Sequence, residues 1–305
     1  TIHNMEVTMN HIQSINKIIG YEDDYSFPIK TIPMQGVLND MGIISEIDCN
    51  ERVMLIRTDT KQYLGNHSSA YRPVTHSQIV DPVRNILHDI SDEYVPQIKT
   101  YDNGAMMVAK FTCRDIRIKD PSKDDYIAFQ VTLRNSYNGM WSIMITAAGL
   151  RLWCLNGCTT ADKIANFRLK HNGVFKYNFD HLKHSVDFFH TNEERYMEWA
   201  NTKVSEWEVK EMFEKLTFTA RPTIDGKYRN ETQFNNLMQQ WKVYRQDMGA
   251  NKWSLYNAVT YWITHPEHSS NTYTKVSAPH KTVVERESKL ISYMNKSDSL
   301  FKEVA

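Results

Sequence analysis

The spacing of apolar residues along the chain changes from two to about three and a half and back. On either side of Asp102-Asn103-Gly104, the runs VPQIKTY and AMMVAKFTCRDIRI alternate, with Val108, Lys110, Thr112 and Arg114 opposing Ala109, Phe111 and Cys113. A period of two marks a half-buried strand, and Asp-Asn-Gly between two such runs predicts a hairpin. The alternation resumes with Ile116 and Ile118 against Arg117 and Lys119, so a bulge is predicted near Arg114–Ile116. After the polar loop KDPSKDD, YIAFQVTLRNS places Ile127, Phe129, Val131 and Leu133 on one face and Gln130, Thr132 and Arg134 on the other. Earlier in the chain, RVMLIRT and TKQYLGNHS read as another hairpin.

Elsewhere the period is that of a helix. Thr75, with Gln78 three residues on, forms a capping box ahead of a stripe made by Ile79, Val80, Val83, Ile86, Leu87 and Ile90. Pro82 interrupts or restarts that helix. The stretch MWSIMITAAGLRLWCLNGC, from Met140 to Cys158, carries Arg151 as its one charge. Its apolar residues fit helical spacing better than alternation: Ile143, Ala147, Leu150 and Cys154 share one side, with Asn156-Gly157 as a stop. A buried helix over 143–155 is therefore expected, with a strand as the alternative. Further on, HSVDFFHTNEERYMEWANTKVSEWEVKEMFEKL makes one long helix or two with a break near Asn201–Thr202. Asn230 caps ETQFNNLMQQWKVYRQDM, Gly249 stops it, WSLYNAVTYWITH follows, and a last helix runs from about Thr282 to Met294.

Together these elements predict an α+β fold. Its core is β-β-α-β-β-β-α with an antiparallel sheet, followed by a helical C-terminal region. Residues 1–50 read as an irregular acidic arm with a short helix near His11 to Ile19, residues 51–183 as the α+β core, and residues 184–305 as the helical region.

Charge sharpens this division. The formal net charge is zero, so no whole-protein footprint for a polyanion exists. Residues 1–50 hold two Lys/Arg against seven Asp/Glu, whereas residues 110–170 hold ten against five. An acidic front and a basic middle suit a polyanion held by the middle, or are solvated faces. Cys49, Cys113, Cys154 and Cys158 form no disulfide framework, and the Cys154–Cys158 pair lacks a second pair for zinc. The absence of a disulfide framework points to a reducing, cytoplasmic compartment, and no apolar run reaches the length of a membrane span.

No catalytic site, cofactor or metal is predicted. The sequence has no phosphate-binding Gly-rich loop, no G-x-S-x-G and no H-E-x-x-H, and His181 and His184 read as an exposed pair on a helix. What remains is a set of cations interleaved with aromatics. Tyr63, Tyr71 and Arg72 flank the first hairpin; Arg114, Arg117 and Lys119 lie along the second; Arg134 ends the third strand; Arg151, Arg168 and Lys170 follow. Single-stranded nucleic acid needs cations for its phosphates and flat rings for its bases, so these ten are the candidate binding residues. Arg151 leads them, because an arginine in so apolar a segment must have a partner, either a phosphate or an internal carboxylate.

Three segments carry a resemblance: YLGNHSSAYRPVTHSQIV, NSYNGMWSIMITAAGLRLWCLNGC and WSLYNAVTYWITH. In that order they resemble the motifs of the "phage/plasmid-like" protein family of unknown function, found in phages, prophages and plasmids. That resemblance spans Tyr63 to His265 and implies a mobile-element origin in a bacterial host, without a known activity. In topology the expected core is also similar to RecT, Redβ and Erf, the phage single-strand annealing proteins. That likeness implies ATP-independent annealing of single-stranded DNA, with RNA as the alternative, by a ring or filament of identical subunits, with Arg151 at the phosphates. The competing expectation is a phage structural or host-interaction protein whose Trp199, Trp207, Trp241, Trp253 and Trp262 form a partner surface, although their helical spacing fits an ordinary helical core better.

Overall fold

The computed structural model describes residues 18–42, 49, 51–151, 156–158, 165–171, 180–218, 230–266, 278–296 and 299–301. Within them the fold is α+β, with strands in the first half and helices in the second. Strands β1 (Tyr21–Glu22) and β2 (Ile29–Pro33) and helix α1 (Met34–Asp40) come first. Next are β3 (Arg52–Arg57), β4 (Gln62–Ser68) and α2 (His76–Ile90). Strands β5 (Tyr94–Tyr101), β6 (Met106–Lys119), β7 (Tyr126–Ser136), β8 (Ile143–Arg151), β9 (Asn156–Cys158) and β10 (Ala165–Leu169) follow. The helices α3 (Asp180–Asn201), α4 (Glu206–Thr217), α5 (Glu231–Met248), α6 (Lys252–Thr264) and α7 (Ala278–Met294) complete the described chain.

The larger sheet runs β1-β5-β6-β7-β8-β10, with β9 pairing on β8; the smaller one is β2-β3-β4. In the larger sheet every pairing is antiparallel except the two-residue β1 on β5. Both expected hairpins form, and the predicted bulge is present as a register shift between Thr112 and Arg117. The turn Asp102-Asn103-Gly104 has positive φ at all three residues, which is the conformation Asp, Asn and Gly tolerate best. Thr75 and Gln78 make the capping box of α2, and Pro82 sits inside the helix without ending it.

One face of the larger sheet meets the helices. Phe111, Phe129, Val131, Leu133 and Ile145 join Val83 and Leu87 of α2, Phe189 and Tyr196 of α3, and Trp241, Trp253 and Tyr256 of α5 and α6 in one core. The rings of Phe129 and Phe189 meet edge-on with centroids 5.5 Å apart. Of the five tryptophans weighed between a partner surface and a helical core, Trp199, Trp241, Trp253 and Trp262 are buried in this core, and Trp207 alone is exposed. Their helical spacing marked the buried side of each helix rather than an outer patch.

Three expectations need correction. The helix expected over 143–155 is strand β8 up to Arg151, paired with β7 on one side and β10 on the other. Its two faces are both shielded: Ile143, Ile145 and Ala147 on one, Met144 and Leu150 on the other. A strand buried on both faces loses the apolar–polar alternation and reads as a continuous apolar run. Asn156-Gly157 stops no helix but lies in β9, and the topological likeness to annealing proteins loses the helix on which it was argued. Among the described residues 18–42 the N-terminal arm is not wholly irregular, because β1 joins the larger sheet and β2 pairs along β3. Asn230 occupies the N-cap position of α5 but makes no capping bond; its side-chain N–H groups serve the Thr217 carbonyl instead. The expected helix near His11 falls almost wholly outside the described residues, as does the Cys154 half of the cysteine pair.

Candidate nucleic-acid interface

Arg151 ends β8 on the core-facing side, and its guanidinium is fully buried. Nε donates to Asp120 Oδ2 at 2.5 Å, Nη1 to Asn257 Oδ1 at 2.7 Å and Nη2 to Ser122 Oγ at 3.0 Å. The indole of Trp253 lies 5.2 Å below the guanidinium and donates its own N–H to Ser122 Oγ at 3.2 Å. Asp120 accepts in turn from the Ser122 N–H and O–H. The partner that burial demanded is therefore an internal carboxylate. Arg151 ties the end of the sheet to the loop 120–125 and to α6, and its expected place at a ligand is corrected accordingly.

The other face of the larger sheet is where the remaining cations gather. Strands β5 to β8 and β10 hold eight Lys/Arg and one acid, Asp115, so their charge is strongly one-sided. The register carries Lys99, Val108, Arg134, Met144 and Arg168 across the sheet in one row. Beside it run Gln97, Lys110, Thr132 and Thr146, and beyond the bulge Arg117 pairs with Ala128 and Lys119 with Tyr126. Lys99, Lys110, Arg117, Lys119 and Arg168 are exposed. Lys99 lies 5.7 Å from the ring of Tyr101, and Arg117 lies 4.4 Å above that of Tyr126. The protein around the Lys110 ammonium lowers its pKa, chiefly by desolvation and then by repulsion from Arg134, with Glu287 offsetting part of the shift. The residue as a whole is nonetheless exposed, which keeps Lys110 on the surface of the sheet among neighbouring cations.

Five of the ten sequence-predicted residues share this face: Arg114, Arg117, Lys119, Arg134 and Arg168. Arg114 stands at its β5 side, with its guanidinium taken by Glu93 at 2.6 Å and by the Ile18 carbonyl. Arg134 is paired with Glu287 of α7 at 3.0 Å. Lys99 and Lys110 were missed, although the alternation in β6 already put Lys110 beside Arg114. Lys170 is exposed just past β10. Tyr63 is exposed on β4, and Arg72 is exposed with Nη1 on the Ser69 and Tyr71 carbonyls; both belong to other elements. His181 and His184 are both exposed on α3.

A family profile described as a domain of unknown function, DUF932, matches residues 63–303, which is most of the chain. The chain belongs to the DUF932 family. No curated protein and no solved structure matches it.

In this DUF932 protein the three motif segments meet one another. Arg151 of the second touches Asn257 and Trp253 of the third. Gly65 of the first lies against the second so closely that a Cβ there would stand 2.3 Å from the Tyr137 carbonyl oxygen. Around that contact a histidine–tyrosine cluster forms. His67 stacks on Tyr71 with centroids 3.7 Å apart, and Tyr71 leans on His171. His76, fully buried, donates Nε2–H to the Gly104 carbonyl and accepts at Nδ1 from Asn135. His171 Nδ1 accepts from the Val74 N–H. Burial lowers the pKa of both His76 and His171 to about 4, so both are neutral at pH 7. Among the described residues no group of histidine, cysteine and carboxylate ligands could hold a metal, and no helix is long and apolar enough to cross a membrane.

Proposed function

We propose that this DUF932 protein binds single-stranded nucleic acid on the cationic face of its larger sheet. We further propose that it acts as a homo-oligomeric, ATP-independent annealing protein in the DNA metabolism of a phage or related mobile element. One observation carries the binding: five exposed cations from three strands share a face whose strands hold almost no acid. Phosphates supply most of the affinity for such a face, and Tyr101 and Tyr126 offer rings for bases beside two of the cations. A sheet face holds the backbone by charge without enclosing the bases, which leaves their pairing edges open to a complementary strand.

The test is fluorescence anisotropy with a labelled oligo-dT at several salt concentrations. Each phosphate contact on a single strand contributes a slope of about −0.7 in log K against log salt, so five contacts give roughly −3.5. Lys110→Ala and Arg117→Ala each remove one contact and flatten the slope by about 0.7, at every sequence tested. Absence of binding at low salt, or binding unchanged by both substitutions, would defeat the proposal. Annealing is then read from the rate at which two complementary labelled strands pair, and an oligomeric mass from light scattering.

A further inference from the structure

The cationic face has a carboxylate brought to it from outside the sheet. The one acid of its own strands, Asp115, is engaged by the Ser91 hydroxyl and the Asp92 N–H. Glu287 instead comes from α7, 153 positions beyond its partner, and its Oε2 stands 3.0 Å from Arg134 Nη1. Both side chains are shielded, at 9% and 18% exposure.

Position makes this pair more than a surface ion pair. Neighbouring strands lie about 4.8 Å apart, so Lys99, Arg134 and Arg168, on every second strand of one row, stand about 10 Å from one another. Arg134 is the middle cation. Lys99 and Arg168 at the ends of that row are exposed and Val108, Arg134 and Met144 between them are buried, so a phosphodiester backbone held by the outer cations reaches Arg134 only where the Glu287 carboxylate gives way. Carboxylate and phosphate satisfy a guanidinium with the same planar pair of acceptors, so one can replace the other without rebuilding the site.

We propose that Glu287 is an acidic clasp: it holds the phosphate position at Arg134, and nucleic acid binds there by displacing it. This rests on nucleic-acid binding at the sheet face. It makes the Glu287 carboxylate a competitor whose release accompanies binding, so that weak or short polyanions fail to open the row.

The experiment compares wild type with Glu287→Gln on labelled oligo-dT, with circular dichroism to confirm that the fold is kept. Freeing one cation for one phosphate predicts binding about fivefold tighter at 0.1 M salt and a slope steeper by about 0.7. Glu194→Gln is the charge control, because Glu194 is exposed on α3, on the helix-covered side of the sheet. It should leave the affinity near that of wild type. In an Arg134→Gln background, Glu287→Gln should give no gain. Tight wild-type binding with an unchanged or weakened Glu287→Gln protein would overturn the clasp alone. A gain that persists without Arg134 would overturn it too, since it would then be only a change in net charge. A wild type that fails to bind would overturn both the clasp and the function it rests on.

Discussion

Replacing Arg151 by methionine separates a structural role from a binding role. The substitution keeps the apolar stem over Trp253 but removes the donors to Asp120, Asn257 and Ser122. Asp120, fully buried, retains only its bonds from Ser122. Breaking one side of a buried ion pair costs about 3–5 kcal/mol, because the remaining charge is left without compensation. For a chain of this size a urea m-value near 3 kcal/mol/M turns that loss into a midpoint about 1–1.7 M lower. Adding Asp120→Asn removes the orphaned charge, so the double variant should be more stable than the sum of the two single losses, with coupling of roughly 0.5–3 kcal/mol. The assay is equilibrium urea unfolding followed by tryptophan fluorescence, to which the core tryptophans, Trp253 among them, contribute. Folded Arg151→Met should bind oligo-dT as wild type does. A variant with an unchanged midpoint that has lost binding would refute the structural assignment and return Arg151 to the ligand.

The histidine cluster predicts a pH dependence. Because the folded-state pKa of His76 and His171 lies near 4, below the ordinary 6.5, the unfolded chain binds more protons between those values. Stability should therefore fall as pH drops from about 6.5 to 4, by up to about 3 kcal/mol for each residue, and urea midpoints across that range that stay flat would contradict it. Gly65→Ala should destabilise by at least about 1–3 kcal/mol, since its Cβ meets backbone that cannot swing aside. A thermal melt superimposable on wild type would mean that the hairpin and Tyr137 separate easily.

Much of the cationic face was legible in the sequence. The alternation in β6 and β7 already sorted Lys110, Arg114, Arg117, Lys119 and Arg134 to one side, and the bulge between Thr112 and Arg117 was the shift the pattern required. What the pattern could not give was β8, whose shielding on both faces erased the period that distinguishes strand from helix. Arg151 followed from the same gap. On a helix its direction is open, whereas as the last residue of a strand in register with Ile127 it must point with the core face. The partner residues were equally hidden: Asn257 lies 106 positions away and Glu287 follows Arg134 by 153, and single-sequence periodicity carries nothing about such pairs. The histidine cluster left only the close spacing of His67, Tyr71 and His76 as a signal, and nothing local joined His171 to them.

The β5 edge has a consequence for assembly. Strand β1 covers only Gln97 and Ile98 of it, Asp23 takes the N–H of Thr100, and Pro96 has no N–H to offer. Proline and lysine on an outer strand are the usual defences against an incoming strand. With Pro96 and Lys99 there, one copy cannot zip onto the next along this border and extend the sheet from molecule to molecule. Copies that meet at this border must be held together by side-chain surfaces, and strand-to-strand growth through it would require the border to be lost first.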